Sequence, residues 1–276
     1  AGYDGAAGGS GRIVDGGAGL LNMAGAVTLK AHGNIGDPGP AVAPVRVGNA
    51  TSLATLTEAG NIYIEKTGAL VISGMAGGGG QAYLTTTGAI TQTGPILNFD
   101  ALHTTVTGAG GIILQNDLNT VDHLYFDAPG ALAYHQAADY TVVQASGNGM
   151  DFSSHGNLNL AAVIAGGPLN IDAGSGDVSL STTGAISITG PGKVLGRNIN
   201  FSFANAVNFS GGSTAGVSNE LSVKASNNLT INAASLNITG GTTSATGSEN
   251  LKNDAVIEAG GLLTITTTGN LTLSGG

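Results

Sequence analysis

Ten residues constrain this chain more than any other feature. The string Thr-Thr-Gly-Ala-Ile-Ser-Ile-Thr-Gly-Pro at 182–191 repeats Thr-Thr-Gly-Ala-Ile-Thr-Gln-Thr-Gly-Pro at 86–95, matching at eight of ten positions, 96 residues apart. Fainter copies stand at 66–74 (Lys-Thr-Gly-Ala-Leu-Val-Ile-Ser-Gly) and 267–275 (Thr-Thr-Gly-Asn-Leu-Thr-Leu-Ser-Gly). Each copy is a turn glycine, a short run with apolar residues at alternate positions, and a second turn glycine. Internal repetition of a short supersecondary unit is the mark of a solenoid.

Alternation recurs along the chain in Leu158/Leu160, Ile186/Ile188, Leu229/Ile231, Leu236/Ile238 and Leu271/Leu273, with Asn, Ser or Thr between. Neighbouring residues of a strand point to opposite faces, so the aliphatics enter a core and the polar residues face out. Gly68, Gly88, Gly130, Gly149, Gly167, Gly184 and Gly269 each open such a strand, and several gaps are close to 20 residues. A unit of about 20 residues fits one coil of a parallel β-helix; a propeller blade needs about 40–50 and an immunoglobulin-like module about 100. The spacing of 96 is then about five coils. One coil buries too little apolar surface to fold alone, and stacking completes its ladders from both sides.

Order along the chain divides it further. Residues 1–59 are expected to form an irregular, Gly/Pro-rich start or cap. A strand is expected near Arg12-Ile-Val14 and another over Ala26-Val-Thr-Leu29. Pro38, Pro40 and Pro44 should loop out of the stack, because proline cannot donate to a ladder. The stretch 51–59 is the only one that could pass for a short helix. Residues 60–276 are expected to be the solenoid, with a turn over 75–80. Within it, 99–155 is a variant section with thicker coils or a protruding loop, holding four of the five histidines (His103, His123, His135, His155) and many of the aromatics.

Composition excludes several functions. Charged residues are 9% of the chain, with 17 Asp and Glu against 8 Lys and Arg, for a formal charge of −9. No basic stripe exists to neutralise phosphates, which argues against nucleic acid and against docking on an anionic membrane. There is no Cys, and no apolar run approaches the roughly 18 residues of a membrane helix, so no membrane insertion is expected. The chain starts at Ala1 without Met or a recognisable signal peptide, and is expected to be either a processed form or, the favoured reading, a piece of something longer.

The Gly-Asn-Leu-Thr-Leu and Gly-Ala-Ile-Ser-Ile units over about 60–95 and 156–276 resemble the rod of filamentous haemagglutinin-like exoproteins, the large adhesins of bacterial two-partner secretion. The resemblance implies an all-β, right-handed parallel β-helix (β-solenoid) exported across a Gram-negative outer membrane. The family's secretion domain carries Asn-Pro-Asn motifs, and none occurs here; no functional residue carries over.

Each candidate site also has a plainer reading. His103 with His123, and His135 with His155, are each 20 residues apart and could align on neighbouring coils as the start of a metal site, with Asp122, Asp127 or Asp139; histidines without a ligand are the plainer reading. Asp122-His123, and Asp172 with Asp177, are the nearest approach to a carboxylate cluster for a polysaccharide-cleaving β-helix enzyme, yet no Lys or Arg lies between Lys66 and Lys193. The acidic turn at 172–177 lacks the established calcium-loop patterns. Asn-x-Ser/Thr triplets at Asn49, Asn200, Asn208, Asn228, Asn237 and Asn270 follow from the repeat unit itself, though some adhesins of the resembled family are glycosylated at such positions. Thr runs at 85–87 and 266–268 are too few for an ice-binding array.

The resulting expectation is a non-enzymatic shaft of a secreted, cell-surface adhesin or exoprotein. It assigns no catalytic, cofactor-binding or metal residue and no cofactor. The expected partners are a host or neighbouring cell surface, a glycan or matrix, with polyvalent contact centred on 99–155. The alternative is a self-assembling subunit of an extracellular filament, sheath or surface layer, associating head to tail. The third reading is the glycan-cleaving enzyme.

Overall fold

The computed structural model describes residues 11–13, 20–36, 44–165, 169–182, 186–212, 218–241 and 254–274. Pro38, Pro40, Val14, Gly167 and Gly184 lie outside them. Among the described residues every regular element is a β-strand, and every pairing is parallel. The fold is a parallel β-solenoid. It divides into two units, Ala1–Ala137 and Ala138–Gly276.

In the first unit each coil places one strand in each of two ladders. The first ladder runs Leu20–Leu21, Val45–Val47, Ile62–Lys66, Gln81–Thr86, Phe99–Val106, Val121–Asp127; the second runs Gly25–Ala31, Ala50–Thr57, Leu70–Ala76, Ile90–Gln92, Ile112–Gln115, Leu132–Gln136. Register makes aliphatic columns. Ile62, Ala82, Leu102 and Leu124 follow one another up the first ladder, and Leu70, Ile90, Ile112 and Leu132 up the second. All eight are buried, and the alternation that was visible along each strand becomes a continuous core.

The second unit has three ladders. The first holds Tyr140–Gly147, Leu158–Ala165, Val178–Thr182, Ile199–Phe203, Leu229–Ala233 and Leu263–Thr267. The second holds Met150–Ser154, Leu169–Asp172, Gly192–Gly196, Leu221–Ala225 and Ala255–Ala259. The third holds Ile186–Thr189, Ala206–Ser210, Ser235–Thr239 and Leu271–Ser274. Ile186 and Ile188 pair with Val207 and Phe209 of the next coil, as a stacked repeat requires. The two near-identical strings nevertheless enter different places. The strand that follows 86–89 joins the second ladder of its unit, whereas the strand that follows 182–185 opens a third. The difference comes after the strand: Gly192–Gly196 follows Ile186–Thr189 and takes the second-ladder position.

The step between coils is close to 20 through much of the chain, as in Ile62 to Ala82, Ile112 to Leu132 and Leu158 to Val178. It lengthens to 26 at Val27 to Leu53, to 30 at Ile199 to Leu229 and to 34 at Leu229 to Leu263. Across 99–155 the steps stay short, 22 from Phe99 to Val121, 18 from Tyr140 to Leu158 and 19 from Met150 to Leu169. Aromatic composition, not coil length, sets that section apart.

Two local expectations are corrected. The stretch 51–59 is not helical: Ala50–Thr57 pairs with Gly25–Ala31 and Leu70–Ala76, and Leu53 is fully buried between them. The turn expected over 75–80 begins later, because Leu70–Ala76 extends to pair Met75 and Ala76 with Ile96 and Leu97. Close coil contacts explain the glycine spacing. A Cβ on Gly176 would lie 1.9 Å from the carbonyl oxygen of Gly156, one coil below, so only glycine lets the corners stack.

Candidate functional site

The outward face of the first unit's first ladder carries the densest set of chemistry-bearing side chains. Parallel register sets Tyr63 opposite Tyr83, Tyr83 opposite His103, and His103 opposite Tyr125. Strands about 4.7–4.9 Å apart bring like-phased rings to stacking distance. The centroids are 4.8, 4.3 and 4.1 Å apart, with interplanar angles of 5°, 6° and 11°. Such pairs contribute about 0.5–1.5 kcal/mol each beyond their burial. Ring faces are therefore spent on one another, and the column offers solvent its edges.

Beside the rings runs a polar chain. Asn61 Nδ2 donates to Tyr63 Oη at 3.1 Å, Tyr83 Oη donates to Gln81 Oε1, and Gln81 Nε2 donates to Asp100 Oδ2 at 3.2 Å. His123 Nδ1 lies 3.0 Å from the Asp100 carbonyl oxygen and 3.5 Å from its Oδ1. Next to this chain is an open cleft of about 330 Å³ lined by Gly79, Asn98, Phe99, Asp100, Thr120 and Asp122. Asn98 has φ of 60°, held by its Nδ2 donating to the Gly77 carbonyl at 2.7 Å and its N–H donating to Thr120 Oγ1 at 2.6 Å. Among the described residues, the cleft lining offers hydrogen-bond acceptors and donors and holds no Lys or Arg.

Burial raises the Tyr83 phenol above its ordinary value, with Tyr63 and Tyr125 adding to it. Burial also holds the His103 imidazole below its ordinary 6.5, against a smaller opposing pull from Asp100. The fold thus favours the neutral ring, and the unfolded chain takes up the proton first. Stability should fall as pH drops below 6.5 towards the folded-state value. A His103→Phe variant, which keeps the stack without the titration, should show a shallower decline. Urea midpoints of both proteins, from neutral to mildly acidic pH, decide it; parallel curves would remove His103 from the account.

The paired-histidine expectation fails on register. His103 lies opposite Tyr125 and His123 opposite Ala101, because the coil step there is 22 (Leu102 to Leu124) and a spacing of 20 misses by two residues. His135 lies opposite Gln115, 3.2 Å from its Nε2, and His155 is exposed in the second unit. Among the described residues no three His, Asp or Glu side chains gather as a metal cluster would. Asp127 is exposed at the end of its strand.

In the second unit the acidic turn resolves into two separate ion pairs. Lys193 Nζ is 3.1 Å from Asp172 Oδ2, and Arg197 donates to both oxygens of Asp177 at 2.9 and 3.0 Å. The Arg197 hydrogen bond, helped by Asn198, holds the Asp177 carboxyl below its ordinary value. Asp177 also belongs to a corner ladder that sequence reading missed. Asp139 accepts from the Asn157 N–H, Asn157 Oδ1 from the Asp177 N–H, Asp177 from the Asn198 N–H, Asn198 Oδ1 from the Asn228 N–H, and Asn228 Oδ1 from the Leu262 N–H. Its signal was present: an Asn or Asp stands just before the first inward aliphatic in Asn157-Leu158, Asp177-Val178, Asn198-Ile199 and Asn228-Leu229.

The remaining sequence candidates also become structural. Asn208 and Asn237 form an amide ladder at 3.0 Å, Asn228 is a corner residue, and Asn49, Asn200 and Asn270 are exposed. The Thr runs serve turns: Thr86 Oγ1 donates to the Gly88 carbonyl, Thr87 Oγ1 accepts from the Gly68 N–H, and Thr268 Oγ1 donates to the Ala234 carbonyl. What the first ladder of the second unit presents outward is an uncharged grid. Thr141, Asn159, Ser179, Asn200, Thr230 and Thr264 are in register in one column, and Ser181, Ser202, Asn232 and Thr266 in another. Compared with family models, curated proteins and solved structures, the chain matches none.

Proposed function

We propose that this chain is the shaft of a secreted, surface-displayed adhesin or exoprotein, and that it attaches to cells, glycan or matrix through its outward faces. The observation that carries this reading is the uncharged grid of the second unit, where ten Ser, Thr and Asn side chains repeat at strand spacing. Each such group makes a weak contact, but a regular array makes many at once, and avidity then replaces a single tight pocket. The aromatic and polar face of the first unit adds a second contact zone. The resemblance of the repeat units to filamentous haemagglutinin-like rods points the same way, and on this reading the chain works at the bacterial surface.

The test is a binding assay on immobilised cells, extracellular matrix and neutral polysaccharides. A triple variant, Ser179→Glu, Asn200→Glu and Thr230→Glu, charges one column without touching the core. Like charges in register on adjacent strands repel, so its unfolding midpoint should fall modestly; under conditions where it stays folded, it should lose about tenfold or more of the multivalent binding. Failure of the parent chain to bind any of these surfaces would sink the proposal.

A further inference from the structure

Asn148-Gly149 is the only Asn-Gly dipeptide in the chain. It forms the bend between the strands Tyr140–Gly147 and Met150–Ser154, with Asn148 exposed and Gly149 at φ +87°. Among the described residues no hydrogen bond engages the Asn148 carboxamide or the Gly149 N–H. The corner asparagines differ in both respects. Asn157, Asn198 and Asn228 have their side chains tied to the next coil, and each is followed by Leu or Ile.

From this contrast we infer that Asn148 is a site of spontaneous backbone-assisted deamidation in the folded protein. The Gly149 nitrogen, having given its proton to solvent base, attacks Asn148 Cγ. The Cγ–Nδ2 bond breaks and the side-chain nitrogen leaves as ammonia, closing a five-membered succinimide. Water then opens the ring at one of its two carbonyls. Cleavage of the new Cγ–N bond yields aspartate; cleavage of the original peptide C–N bond yields isoaspartate. The sum consumes one water, releases one ammonia and involves no oxidation. Glycine matters because the nitrogen that attacks has no side chain beside it, and because a residue without Cβ adopts the backbone rotation that closure needs. Exposure matters because a solvent-facing carboxamide with no hydrogen-bond partner among the described residues can turn onto that nitrogen.

The product changes the coil. Either outcome adds a negative charge to a chain already at −9. Isoaspartate also lengthens the main chain just before Met150 and Phe152, both buried and both in register with Leu169 and Ile171 of the next coil. One extra backbone atom there works against that pairing, so the strand Met150–Ser154 becomes easier to open.

The test incubates the intact purified chain in mildly alkaline buffer, followed by chymotryptic mapping, since no Lys or Arg lies between Lys66 and Lys193 for trypsin. The expected result is amide-to-acid conversion at Asn148, with isoaspartate as one product. It should run about tenfold or more faster than at Asn157, Asn198 or Asn228, whose hydrogen bonds must break first. The Asn148→Gln variant, altered only at an exposed side chain, should lose the signal and keep its unfolding midpoint. The same chain held in urea is the reference for intrinsic reactivity. Conversion in urea with the amide intact in the folded chain would overturn the inference, as would equal rates at Asn148 and the corner asparagines.

Discussion

Replacing Asn119 by Leu is expected to cost the first unit about 3–5 kcal/mol, among the largest losses available to a single polar residue. Asn119 is 1% exposed. Its Oδ1 accepts from the Ile96 N–H at 2.9 Å and from Gln92 Nε2 at 3.0 Å; its Nδ2 donates to Gln92 Oε1 at 3.1 Å, to the Leu114 carbonyl at 3.3 Å and to the His135 carbonyl at 3.1 Å. One amide thus ties three coils at a place where a turn enters the interior. Leucine is nearly the same size, so packing is largely kept, and the loss comes from buried backbone groups left without partners. The neighbouring Leu118, 69% exposed, is the control: Leu118→Ala should stay within about 0.5 kcal/mol. Urea unfolding of both variants measures the difference. An Asn119→Leu midpoint equal to that of the parent chain would falsify this account of the turn.

The second unit should be most sensitive at Phe201. Its ring is fully buried, with centroids 5.6 Å from Phe203 and 5.6 Å from Phe209, which bridges the first and third ladders of that unit. Phe201→Ala removes the ring from a site framed by Leu180 and Ile231 in the same column. The lost burial and the remaining cavity together amount to about 3–5 kcal/mol. Phe201→Leu should recover much of it. Because solenoid coils depend chiefly on their neighbours, hydrogen exchange should show lost protection concentrated in the coils on either side of Phe201. Uniform loss across both units would contradict that picture.

Much of this architecture was legible in the sequence because it is local. Alternation of Leu and Ile with Asn, Ser and Thr depends only on consecutive side chains pointing to opposite faces. Glycine spacing reports where one corner must pass close over another, as at Gly156 and Gly176. Period and alternation together were enough for an all-β parallel solenoid. The polar outer face followed from the scarcity of charge.

Register was decided only by the tertiary structure. Whether His103 meets His123 or Tyr125 depends on the number of residues that the intervening turns absorb, here 22 and not 20. No strand-local pattern encodes that count. The same cause separates the strings at 86–95 and 182–191, whose strands enter a second and a third ladder although eight of ten residues agree. Asn119 was hidden for a related reason: a buried amide and an exposed turn amide look alike in sequence. The corner ladder left a visible Asn or Asp before each first inward aliphatic, but only stacked coils show which backbone N–H each one satisfies. Side-chain periodicity along one strand therefore specified the kind of fold, while the lengths of the turns, acting between strands 18–34 residues apart, specified which residues meet.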